Sequence, residues 1–226
     1  MKYAPSALIG RLSRSAGSTT ASHNRFGSYL RNRVIPTNPL TAKQTAVRVQ
    51  LAAVSSAWKT LSQANRDGWT ALGTQITKTD SLGSSYTLNG LQAFVSCNRN
   101  RLTAGVSILS VAPAIPTITA FATATFTSAA GALTFTFTAT PLGATDQLFI
   151  SLTPGVSAGI NFMPRGRYKL ATVTALNVAS PIALLAAYTA LYGVPVAGQK
   201  VFLSALRHNQ ASGFVGPPTI LTVIAT

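Results

Sequence analysis

From residue 133 to 138, apolar and threonine positions alternate strictly: Leu133, Phe135 and Phe137 against Thr134, Thr136 and Thr138. A period of two sends the two sets to opposite faces of a strand, so this stretch predicts a strand with one face on a core. Similar short strands are expected over 117–126, 147–153, 168–175, 200–207 and 219–224, divided by Gly, Pro and Asn turns. Most of them have no helical run between them, so the pattern predicts an antiparallel β-sandwich over 113–226, crossed by a helical turn at 183–192.

Upstream the period changes. Val47, Leu51, Val54, Trp58 and Leu61 recur at helical spacing and predict one buried helix face. Thr41 and Gln44 fit a capping box at its start. Ser62 reads as the N-cap of a second helix carrying Trp69, Leu72 and Ile76, and the two helices are expected to pair with both tryptophans in the seam as core residues. A loop over 83–86 should lead into a third helix bearing Leu88, Leu91, Phe94, Val95 and Leu102, ending near Gly105, with Asn98, Arg99, Asn100 and Arg101 on its polar face. Ala112-Pro113-Ala114-Ile115-Pro116 then reads as an extended linker.

The first 36 residues show neither period for long, although a hairpin turning near 24–27 is expected. Such a segment has almost nothing to bury. Ordering it costs roughly 1–2 kcal/mol per residue with no core to offset that, so it must lie against a partner or stay loose.

Composition sharpens this picture. The 226 residues hold 18 Lys and Arg against 3 Asp and no Glu, a net charge of +15, and only 9% of residues are charged, where an ordinary soluble domain has roughly 25%. Residues 1–48 contain eight cations and no anion. Asp67, Asp80 and Asp146 stand in separate segments, which leaves no side-by-side acids for general acid/base chemistry and no carboxylate-rich Mg²⁺ or Ca²⁺ site. Cys97 is alone, and His23 and His208 do not build a zinc site unaided. The expectation is a non-enzymatic protein without cofactor. Mean hydropathy is +0.31, yet the longest apolar run, 182–187, is far shorter than the roughly 18 residues a membrane span needs. A weakly charged, hydroxyl-rich and apolar-leaning surface favours self-association, so a homo-oligomer and no membrane partner are expected.

Two motif types remain. Gly155-Val156-Ser157-Ala158-Gly159 matches the G-x-S-x-G nucleophile elbow, but it falls between expected antiparallel strands with its acid upstream, and is read as a loop. Three Arg-x-Arg pairs occur: Arg31/Arg33, Arg99/Arg101 and Arg165/Arg167, the last followed by Lys169. On a strand, residues two apart share a face and approach the spacing of successive phosphates. Arg31/Arg33 and Arg165/Arg167/Lys169 can then follow a DNA backbone without reading bases, or grip carboxylates of a neighbouring subunit. Arg11, Arg14, Arg25 and Tyr29 complete the candidate contact set.

The run Arg31-Asn32-Arg33-Val34-Ile35-Pro36-Thr37-Asn38-Pro39-Leu40-Thr41, then Trp58-Lys59-Thr60-Leu61-Ser62 and Arg66-Asp67-Gly68-Trp69, resembles a group of small proteins encoded among the structural genes of tailed bacteriophages. Gly90-Leu91-Gln92-Ala93-Phe94-Val95-Ser96-Cys97-Asn98 continues the likeness. The C-terminal part loosely resembles fibronectin-III/Ig-like domains through Val201–Ala205 and Asn209–Gly213. The resemblance implies a virion location, other virion proteins as partners and a structural role as capsid decoration or cement, or as a neck or tail accessory. A genome-condensing DNA-binding protein is the alternative, and a host-binding spike using loops near 155–167 a third. The expected fold is α+β: a basic extended arm (1–36), a helical segment (37–112) and a fibronectin-III/Ig-like β-sandwich (113–226).

Overall fold

The computed structural model describes residues 14–24, 27–35, 37–79, 83–129, 131–138, 140 and 142–226, and the chain divides into two compact units, 1–45 and 46–226.

In the first unit, β1 (Arg14–Ala16), β2 (Thr19–Asn24) and β3 (Gly27–Asn32) form an antiparallel meander in that order. The expected hairpin is present, with Asn24 opposite Gly27. The ladder runs one residue past β3, where the Arg33 N–H donates to the Ser18 carbonyl at 2.7 Å. No residue of this sheet whose exposure is described is buried, because its strands are mostly Ser, Thr, Ala, Asn and Arg and Leu30 is their one large aliphatic side chain.

The second unit is α+β. Helix α1 (Ala42–Thr60) starts where the Thr41 hydroxyl accepts the Gln44 N–H. Helix α2 (Gln63–Gln75) is capped by Ser62, whose side chain accepts the Asn65 N–H. Helix α3 (Gly90–Thr103) carries a full capping box between Asn89 and Gln92. It ends on Gly105, whose φ of +76° suits glycine and whose N–H bonds the Leu102 carbonyl. Val54, Trp69, Leu72, Ala93, Phe94 and Cys97 form the helical core. Trp69 meets Phe94 edge-on at 5.1 Å, and Trp58 tilts against the same ring at 5.3 Å, so both tryptophans pack against the core as expected, but on a ring of α3 and not in a seam between α1 and α2.

Two expectations about the helices need correction. The stripe on α1 is fully buried only at Val54, with Trp58 and Leu61 half-buried and Val47 and Leu51 exposed, since the main packed helix pair is α2·α3 and not the expected pair of α1 with α2. Residues 83–86 are not all loop: β4 (Thr77–Thr79) and β5 (Ser85–Thr87) pair antiparallel, with Lys78 opposite Tyr86.

The C-terminal half contributes two antiparallel sheets. One has the order β10-β7-β6, from β6 (Thr123–Ala129), β7 (Ala132–Thr138) and β10 (Ile182–Ala183). The other has the order β12-β11-β8-β9, from β8 (Asp146–Leu152), β9 (Lys169–Val173), β11 (Lys200–Asn209) and β12 (Thr219–Ile224). Helix α4 (Leu185–Tyr192) follows β10, close to its expected place. Phe126, Leu133, Phe135 and Phe137 of one sheet share a core with Leu148, Ile150, Leu152, Val201, Leu203 and Ala205 of the other. The alternation along β7 is borne out, with its phenylalanines inward and Thr123 and Thr138 joined by their hydroxyls at 2.8 Å on the other face. The strand expected over 117–126 lies instead at Thr123–Ala129. Its partner β7 ends at Thr138, opposite Thr123, so the residues before Ala122 have no ladder left to join.

Candidate functional site

The strand register sorts the arm residues onto two faces, because directly opposed residues of antiparallel strands point the same way. Tyr29 pairs with Ser22 and Arg31 with Thr20, which in turn pairs with Ser15; the Ser15 and Thr20 hydroxyls are 2.8 Å apart. Arg33 follows Arg31 by two and falls on the same face. That face therefore carries Tyr29, Arg31 and Arg33 beside three hydroxyls. The opposite face holds Leu30, Ala21 and Ala16, and the register position of Arg14 belongs with them. Arg31, Arg33 and Arg14 are all exposed. Arg11 and Arg25 lie outside the described residues.

The second candidate cluster does not assemble. Pro164, Arg165, Gly166 and Arg167 make a 3-10 turn, closed by bonds from the Arg167 N–H to the Pro164 carbonyl and from the Tyr168 N–H to the Arg165 carbonyl. At three residues per turn, side chains two apart diverge by about 120°, so Arg165 and Arg167 share no strand face. The strand begins only at Lys169, whose ammonium sits 5.0 Å from the centre of the Tyr192 ring. Arg165 instead rims an open depression of about 640 Å³ on the second sheet, with Lys78, Tyr168, Ser151 and Ser204.

The third pair corrects the reading of α3. Arg99 faces outward, but Arg101 and Asn98 are buried. The Arg101 guanidinium donates to the Ser107 carbonyl and the Ala211 carbonyl, each at 2.9 Å, and to the Gln210 carbonyl. Burial pushes its pKa down. Asn98 exchanges two hydrogen bonds with the Leu109 backbone, and Asn100 donates to the Gly213 carbonyl at 2.9 Å. These side chains tie α3 to residues 107–109 ahead of the sheets and to the 209–214 turn after β11. The signal was present in the sequence: Arg101 stands seven residues after Phe94 and four after Cys97, on the buried face of the helix.

Gly213 shows how close that junction is. Its φ is +78°, and a Cβ there would collide with the Cys97 carbonyl. Burial pushes the Cys97 thiol up to about 12, against a smaller opposing effect of the Lys78 charge, which leaves it un-ionised and a poor nucleophile at neutral pH. His208 is also fully buried, stacked on Phe149 at 4.6 Å, with Nδ1 2.9 Å from the Gln147 side-chain nitrogen. The Gln147 amide donates, so the ring proton sits on Nε2, which is buried without a partner. Burial first and the Arg101 charge second lower its pKa to about 4, with Asp146 pulling the other way.

Of the two described carboxylates, Asp146 is buried and held by its own chain, whereas Asp67 is exposed with one neutral donor beside it. Asp146 is paired with Arg207 at 2.8 Å and accepts from Asn209 at 3.0 Å; Asp67 accepts from Gln63 at 2.8 Å. Ser157 lies in a loop beside Val156, which bridges to Lys200 at the start of β11. His208 is eight residues further along that strand, about 26 Å away, so the G-x-S-x-G match builds no triad. Among the described residues no three His, Cys, Asp or Glu side chains cluster as metal ligands, and no helix is long and apolar enough to cross a membrane.

No family model, curated protein or solved structure matches the chain.

Proposed function

We propose that this chain is a non-enzymatic structural protein of a tailed-bacteriophage virion, a capsid decoration or cement protein or a neck or tail accessory, present in many copies and held in the assembly by its arm. On this reading the two C-terminal sheets are the halves of a fibronectin-III/Ig-like sandwich, and the chain's partners are other virion proteins and further copies of itself.

The observation that carries the proposal is the uncovered stretch after β3. Val34, Ile35 and Leu40 are 81%, 74% and 66% exposed on backbone with no regular secondary structure. Three large aliphatic side chains within seven residues, next to a sheet without a core, favour a covering surface on another subunit. Burying them there contributes about 5 kcal/mol before ordering costs. The sequence likeness to phage structural proteins spans this same stretch.

The test is sedimentation velocity and virion incorporation of the full chain against the triple variant Val34→Ser/Ile35→Ser/Leu40→Ser. The expected outcome is an oligomer for the parent chain and loss of both association and incorporation for the variant. A variant that assembles and incorporates like the parent removes the basis for the proposal.

A further inference from the structure

The assembly proposal leaves open what meets the cationic face of the arm, and the following inference rests on that proposal only for the arm's having a partner. We infer that the Tyr29/Arg31/Arg33 face binds the sugar-phosphate backbone of nucleic acid, and that this polyanion, not a second copy of the chain, neutralises the arm.

A second copy lacks the chemistry to do so. The whole chain offers three carboxylates against 18 cations. Asp146 is held by Arg207 and Asn209, while the exposed Asp67 accepts one bond from the neutral Gln63 amide and keeps its charge. With Asp80, the third, that makes two carboxylates against the seven cations of residues 1–45. Every added copy brings another +15, so an assembly of this chain accumulates repulsion that a polyanion must relieve.

The chemistry of the face then selects the kind of polyanion. Protein interfaces centre on buried apolar or aromatic anchors in a close-packed patch. Here the register puts Leu30, Ala21 and Ala16 on the other side, and among the described residues of β1–β3 Tyr29 is the sole large apolar-bodied one beside Arg31, Arg33, Ser22, Thr20 and Ser15. Guanidiniums and hydroxyls are the groups that contact phosphate oxygens. Arg31 and Arg33 are two residues apart on extended backbone, about 6.8 Å, the order of the step between phosphates along one strand. Tyr29 continues the row by one such step and offers a ring on which an unpaired base can stack. No side chain on this face is arranged to read a sequence, so contact is to the backbone.

The test titrates the full-length protein with a fluorescent 30-nucleotide single strand and with the matching duplex, from 50 to 200 mM salt. The expected result is binding that weakens log-linearly with salt. Arg31→Ala/Arg33→Ala should lower the slope by roughly 1.5 to 2, at about 0.7 per lost contact on a single strand and 0.9 on a duplex. Arg165→Ala/Arg167→Ala removes the same net charge off the arm and should leave the slope unchanged. Tyr29→Ala should weaken single-strand binding by roughly tenfold without altering the slope. Circular dichroism verifies that each variant keeps its fold.

The inference is overturned by absence of DNA binding at 50 mM salt, by equal slope losses for the two arginine pairs, or by displacement of the DNA by polyglutamate at equal charge. A chain that fails to bind DNA yet assembles in the sedimentation test sinks this inference and leaves the assembly proposal standing. One that binds DNA but stays monomeric and off the virion does the reverse.

Discussion

In residues 46–226 the Arg101 guanidinium is enclosed and given to backbone carbonyls of its own chain, whereas in residues 14–33 Arg31 and Arg33 lie open beside hydroxyls. The same Arg-x-Arg spelling thus occurs in two different environments. A buried charge needs its partners built in, since an unpaired one is costly. An exposed charge is free to be neutralised from outside, and how strongly that happens depends on salt. Burial of the neighbouring positions, not the arginine spacing, separates the two cases.

The largest expected effect breaks the inward case. Arg101→Ala strips the Ser107, Gln210 and Ala211 carbonyls of their donor and opens a cavity, and should cost about 4 kcal/mol in urea unfolding. It should also make Cys97 alkylate measurably at pH 8, where the parent thiol, pushed up to about 12, resists.

Next comes acid. His208 has a folded pKa of about 4 against an ordinary 6.5, so between those values the unfolded chain binds more protons than the folded one. Its contribution is complete above pH 6.5, falls as pH drops and is gone near pH 4, about 3 kcal/mol in all. His208→Leu should flatten that part of the stability profile; an unchanged profile would show that another group titrates there.

Gly213→Ala, at φ +78° and against the Cys97 carbonyl, should cost about 2 kcal/mol or more by forcing the turn away from α3. At the bottom of the scale, Arg31→Ala/Arg33→Ala should change unfolding free energy by less than about 0.5 kcal/mol. A large loss of stability in that variant would erase the contrast between the two regions.

What could be read from the sequence was whatever local periodicity or capping chemistry determines. The threonine alternation along β7, Ser62 as a cap, the core packing of both tryptophans and the 24–27 hairpin turn are all of this kind, and so is the grouping of Tyr29, Arg31 and Arg33, which alternation on a strand guarantees. Features decided by distant partners were not legible. The start of β6 is set by where β7 ends. Pro164 and Gly166 let residues 165–167 coil into a turn, where a shared face for Arg165 and Arg167 needs extended backbone. The spacing of Asn98 and Arg101 from Phe94 and Cys97 marks them as facing inward, but the 107–109 and 209–214 backbone they bond comes from outside the helix and is not marked by that spacing.

That last meeting has a consequence for how the chain can be divided. Cutting near residue 112 and grafting 113–226 onto another protein would carry along the Gln210 and Ala211 carbonyls stripped of their guanidinium, Phe214 pulled from its place among the helices, and His208 deprived of the nearby Arg101 charge that helps keep it neutral. The helices and the sheets therefore have to be inherited, expressed and engineered together.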